Sequence, residues 1–225
     1  MKKNLYLLSS LILFAIFVVF TVIVKTVDVQ YVNEGNYYLG LHSLNFSFGN
    51  MAVQFNRAES MKKISDVLLY LSFAYVAALA VVGVVQLIKY KSLAKVDKHL
   101  FVLLGAYVVC VIIYFAFEVM KVNYSPDVTE GIKASYPSSH VFIGCTFYLV
   151  NSYAALKMLK SDKKWAEILI YASTSLICFM IVVTRSLALK HWISDIIASL
   201  LLVGAVYLLF VHVSKKFDKE EEITE

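Results

Sequence analysis

The sequence predicts an all-α, polytopic membrane protein folded as a six-helix transmembrane bundle, and three observations predict it. Of the 225 residues 60% are hydrophobic and only 16% are charged, a balance foreign to water-soluble domains. The apolar residues gather into six runs, each close to the ~20 residues that cross about 30 Å of hydrocarbon. Two prolines and eight glycines are too few for the turns of a β-barrel or for long unstructured linkers.

The first run, Leu5–Val24, follows Lys2 and Lys3 and so has the outline of a secretory signal. It is long, however, and lacks a small-x-small cleavage site, so it reads as a retained helix. The other runs are Ile64–Ile88, Leu100–Met120, Val141–Leu156, Ala166–Val183 and Ile193–Val213, joined within a single domain of residues 1–225. The first connection, Asp28–Lys63, is the long one, with aromatics at Tyr31, Tyr37, Tyr38, Phe46, Phe48 and Phe55. It reads either as a lid or interfacial segment near a lipid entrance or as an ordered loop covering the bundle. Asp66, near the start of the second run, is a buried-acid candidate with no partner assignable from the sequence. Cys110, Cys145 and Cys178 lie in apolar runs, where they act as small hydrophobes and suggest neither a disulfide framework nor a metal site.

Charge gives the orientation. The net charge of +5 is spread in pairs between apolar runs instead of lying on one face, which argues against nucleic acid as a partner. Lysine-rich short connections stay on the cytoplasmic side of a membrane. The connections Lys89–Lys98 and Lys157–Lys164 fall on one side of a six-span chain, together with Lys2, Lys3, Lys215, Lys216 and Lys219 at its ends. Both termini, including the acidic Glu220–Glu222 tail, are therefore expected in the cytoplasm. The extracytoplasmic face receives Tyr37–Asn50, Asn123–His140 and Arg185–His191, where polar and titratable groups concentrate.

Two clusters on that face carry chemistry. His191 and Asp195 are four apart, which puts them on one face of a helix beginning nearby. A carboxylate accepting from one ring nitrogen fixes the tautomer and leaves the other nitrogen with a lone pair for attack. The competing reading is an interfacial His-Trp pair with a helix-capping acid. The second cluster, Tyr136-Pro137-Ser138-Ser139-His140, directly precedes the fourth run. Ser138 or Ser139 is a natural N-cap, the free amides of the helix start suit an anionic phosphate, and His140 is placed to protonate a departing alkoxide. Its alternative is an ordinary histidine at a helix start. Arg185 and Lys190 either snorkel to the headgroups or present cations to phosphate oxygens.

Pro137-Ser138-Ser139-His140 followed by Arg185-x5-His191-x3-Asp195 resembles the second and third motifs of the type 2 phosphatidic acid phosphatase superfamily. Ser139 stands where that family usually has glycine, and Thr184 where it has serine. The resemblance implies a reaction without metal or cofactor, in which His191 attacks phosphorus, Asp195 orients it, His140 protonates the leaving group and Arg185 holds phosphate oxygens. The family's first motif, Lys-x6-Arg-Pro, is not matched: Glu118 stands at the lysine position and Ser125 at the arginine. Lys121 and Lys133 lie in the same connection as candidate substitutes.

The function expected is phosphatase action on a membrane lipid phosphate or diphosphate, of phosphatidic acid, phosphatidylglycerol phosphate or polyprenyl type. The first-motif departures also admit a lipid-phosphate binding or accessory protein without turnover. A small transporter is disfavoured, since the halves show no repeat and the polar groups sit at one face instead of at mid-depth.

Overall fold

The computed structural model describes residues 2–32, 37–54, 57–127, 133–159 and 163–224, with residues 2, 3 and 218–224 in backbone only. Every apolar run is a helix longer than its apolar stretch: α1 Lys2–Thr26, α3 Ala58–Tyr90, α4 Lys98–Met120, α5 Ser139–Leu159, α6 Lys164–Leu187 and α7 Ile193–Thr224. All six are long and apolar enough to cross a membrane. They outrun the hydropathy because the backbone ladder continues past the hydrocarbon wherever nothing stops it. The stops are local. Lys91 and Lys121 take left-handed conformations, with φ of 50° and 45°, that close α3 and α4, while Asp97 starts α4 by accepting from the His99 amide at 2.8 Å.

The described residues of the Asp28–Lys63 connection form secondary structure instead of a bare loop. Strands β1 (Gln30–Val32) and β2 (Tyr37–Leu39) pair antiparallel with Tyr31 opposite Tyr38, and α2 (His42–Val53) follows. Phe55 lies outside the described residues. The Asp28 carboxylate accepts from the Ser43 amide at 2.6 Å and so caps the first turn of α2. Gly40 is required where β2 turns into α2, since a Cβ there would sit 1.6 Å from the Val24 carbonyl oxygen. That contact pins the hairpin to the end of α1.

Helix α5 is the central element. Two thirds of its span (67%) is buried, against 11–17% for α1, α3, α4 and α6, and it is the least apolar of the six. The two facts are linked, because a helix enclosed by other helices need not face lipid and can carry polar groups that bond across the bundle. Ser152 of α5 shares a 2.7 Å hydrogen bond with Thr174 of α6, and the Tyr107 hydroxyl of α4 donates to the Asn151 amide oxygen. Around α5, Phe17, Phe142, Ile181, Ile196 and Leu202 form the apolar core. Helix α7 packs along α1 and α5, and α3 along α5 and α6, so the starts of α3, α5 and α7 and the end of α6 meet at one end of the bundle.

Candidate active site

The corner between α6 and α7 is built from the backbone outward. Arg185 sits in the last turn of α6; a short turn through Leu189, at φ 54°, reverses the chain, and α7 begins at Ile193. Asp195, in the first turn of α7, accepts from the Trp192 amide at 3.1 Å, closing the helix start on itself. Its carboxylate is wholly buried and needs further donors. The Asn123 side-chain amide supplies one at 3.2 Å, and the Ser194 hydroxyl lies at 3.5 Å. Asn123 is in turn held by the Gly40 amide at 3.0 Å, and Ser194 exchanges hydrogen bonds with Asn45 of α2. The hairpin and α2 therefore reach the carboxylate through two buried asparagines.

His191 stands above this base. Its Nδ1 lies 2.8 Å from the Ser135 carbonyl oxygen and 3.7 Å from the Asp195 carboxylate. The hydrogen bond expected from Asp195 thus goes to a backbone carbonyl, and the carboxylate acts on the ring by charge from just beyond bonding distance. A carbonyl can only accept, so Nδ1 carries the proton and Nε2 keeps its lone pair. Nε2 faces the Arg185 Nη2 at 3.3 Å. The ring is 8% exposed, and this burial holds its pKa below the ordinary histidine value; Asp195 opposes the shift and Arg185 adds to it. Burial thus favours the neutral imidazole.

Arg185 is 7% exposed, and its Nε and Nη1 have no hydrogen-bond partner among the described residues. Nη1 lies 3.6 Å from Asp66 of α3, whose same oxygen is 2.9 Å from His140 Nε2. Asp66, unpartnered by sequence reading, is thus the link between the second histidine and the arginine. A cavity of about 240 Å³ opens onto these groups; Lys62, Asp66, Ser139, His140, Arg185 and His191 line it together with Ser125, Asp127, Lys133 and Lys190.

The sequence candidates divide accordingly. His191, His140, Arg185, Ser139, Lys133 and Lys190 reach the cavity. Lys190 does so paired with Asp127. Ser138 does not: its side chain is buried and makes no hydrogen bond among the described residues, while its amide donates to the Asp195 carbonyl and its own carbonyl accepts from Ser199 at 3.0 Å. It pins α5 to α7 by its backbone and is not a side-chain cap. Lys121 does not either: it forms the left-handed end of α4, is exposed, and offers its carbonyl to the Tyr38 hydroxyl at 2.6 Å. Glu118 opens onto a separate cleft of about 30 Å³ beside Ser135 and His191, and the Ser125 hydroxyl donates to the Lys190 carbonyl at 3.2 Å. Lys62, Asn45, Asn123 and the Ser135 carbonyl carry no motif that singles them out. Among the described residues no group of three or more His, Cys, Asp or Glu side chains is arranged to hold a metal ion.

The fold and cavity together define a multi-pass membrane protein with an anchored neutral imidazole, a second histidine and a buried arginine gathered at one end of the bundle. The chain belongs to the PAP2 superfamily, whose family model matches residues 69–219 and so includes both histidine clusters. The fold is similar to that of a transmembrane PAP2-type phosphatidylglycerolphosphate phosphatase from Bacillus subtilis, with a TM-score of 0.63 and 18% identity over 94% of this chain and 96% of that one. Among curated proteins no sequence matches this chain.

Proposed function

We propose that the protein is an integral membrane phosphatase that hydrolyses a lipid phosphate or diphosphate through a phosphohistidine on His191. The observation that carries the reading is the state of that ring: Nδ1 is committed to the Ser135 carbonyl, and the unprotonated Nε2 faces an arginine with free donors. The Nε2 lone pair forms the bond to phosphorus as the ester P–O bond breaks. His140 gives a proton to the departing oxygen, and Arg185 binds the non-bridging oxygens as charge develops on them. Ser139, at the start of α5, adds the free amides of a helix N-terminus. The positive charge that His191 acquires on phosphorylation is offset by Asp195. Water then attacks the phosphohistidine, His140 takes its proton, and His191 returns to the neutral form.

The lysine distribution supports cytoplasmic termini and a site on the extracytoplasmic face, where an apolar tail stays in the bilayer while its headgroup enters the cavity. Relatedness to PAP2 proteins supports a lipid substrate. Phosphate release from detergent-dispersed phosphatidic acid, phosphatidylglycerol phosphate and a polyprenyl diphosphate tests the reading. Release is expected to persist with chelator and to vanish in His191→Ala; equal release by that variant would sink it. The second reading, lipid-phosphate binding without turnover, is favoured by Glu118 and Ser125 at the two positions where the family carries cations. Tight lipid binding with no release from any substrate would select it.

A further inference from the structure

On the reading of the site given above, we propose that Lys62 of α3 is the phosphate-binding cation that takes over from those missing at positions 118 and 125. The family match begins at residue 69, so the first part of α3 lies before it. That part nevertheless supplies a wall of the cavity. Lys62 and Asp66, one turn apart on one face, both line it. Asp66 fixes the aim of that face, because its carboxylate lies 2.9 Å from His140 Nε2 and 3.6 Å from Arg185 Nη1.

The two groups that α4 and the following segment offer instead are spent or turned away. Glu118 belongs to the separate small cleft, and the Ser125 hydroxyl is committed to the Lys190 carbonyl. Of the cavity's other cations, Lys190 is paired with Asp127, Arg185 stands against Asp66, and Lys133 is already engaged by a neighbouring group. Lys62 has no carboxylate or hydrogen-bond partner among the described residues. Arg185, more than nine-tenths buried, has two nitrogens without a hydrogen bond, which marks an anion as the missing ligand. An ammonium on a flexible stem can meet phosphate oxygens that Arg185 does not hold, and it offsets the repulsion between the phosphate and Asp66 one turn away. Lys62 also lines a neighbouring groove of about 540 Å³, whose walls include Phe46, Val53, Leu189 and Trp192 beside Glu59 and Asp127, so it borders both cavities.

The test uses the full-length protein in detergent with inorganic phosphate as probe alongside a lipid phosphate. Lys62→Met keeps the apolar stem and removes the charge. KM for the lipid phosphate and the inhibition constant for inorganic phosphate are both expected to rise about 10- to 100-fold, the loss of one charge-assisted contact. Lys62→Arg is expected to stay within about threefold of wild type. Lys63→Ala is a control, since Lys63 is exposed and paired with Glu59, and it is expected to change neither constant. A Lys62→Met protein with both constants within twofold of wild type overturns the inference, while the phosphatase reading stands. If wild type binds inorganic phosphate without hydrolysing any lipid, and Lys62→Met loses that binding, the phosphatase reading falls and the inference holds.

Discussion

The two walls of the cavity are built in different ways. At the α6–α7 corner the polar atoms are committed before a substrate arrives: His191 to the Ser135 carbonyl, Asp195 to the Trp192 amide and Asn123, and Ser194 to Asn45. Across from it, the wall made by α3 and the start of α5 is held by charge between helices, with Asp66 joining His140 and Arg185 and with Lys62 beside them. The first wall fixes one ring in one tautomer; the second sets a balance of charges that an incoming dianion changes. Substitutions in the first wall are therefore expected to cost turnover on every substrate, and those in the second to depend on what the substrate carries.

The largest effect expected is His191→Ala, a loss of at least about 10⁴-fold in kcat for every substrate, because no neighbouring group replaces the nucleophile. Asp195→Asn follows, at about 10²- to 10⁴-fold in kcat, since the cation formed on His191 loses its counter-charge. This variant also moves a titration. Burial already holds the His191 pKa below the ordinary value of about 6.5, and Asp195 works against that shift. Removing the carboxylate lowers the pKa further, so the acid limb of kcat/KM is expected to move to lower pH; a limb moving to higher pH would break the assignment.

The second wall is sharpened by its leaving-group dependence. Asp66→Asn is expected to lower kcat about 10- to 100-fold on alkyl lipid phosphates, where His140 must deliver a proton to a poor leaving group. On p-nitrophenyl phosphate, whose leaving group departs as a stable anion, the same variant is expected to lose less than about threefold. Equal losses on both substrates would make Asp66 a purely structural residue. The smallest effect belongs to the double change Glu118→Lys and Ser125→Arg, expected within about threefold of wild type in kcat/KM. A gain well beyond that would show that α3 does not supply the cation.

The same division explains what was legible in the sequence. His191 and Asp195 share one turn of chain, and Arg185 and His140 stand at the ends of apolar runs, so spacing and hydropathy find all four. The partners of Asp66 depend on how α3 lies against α5 and α6, which no local pattern encodes. Asn45 and Asn123 look like any polar loop residues, and the Ser135 carbonyl has no side-chain signature at all. The six spans were plain from hydropathy, but their ends were not, because hydropathy follows the hydrocarbon and helices end at caps such as Lys91, Asp97 and Lys121. Helix α5 read as the shortest run because burial lets it carry Thr146, Asn151 and Ser152. Helix α2, with Gly49 and little apolar periodicity, was hidden in the long first connection.

The phosphohistidine on His191 can be trapped. Wild-type protein is mixed with a ³²P-labelled lipid phosphate, quenched in alkaline denaturant and digested, and the labelled peptide is sequenced by mass spectrometry. Phosphate is expected on a ring nitrogen of His191, formed at the rate of the first turnover and absent from His191→Ala. Release of phosphate with label on no residue, or on a residue other than His191, would contradict it.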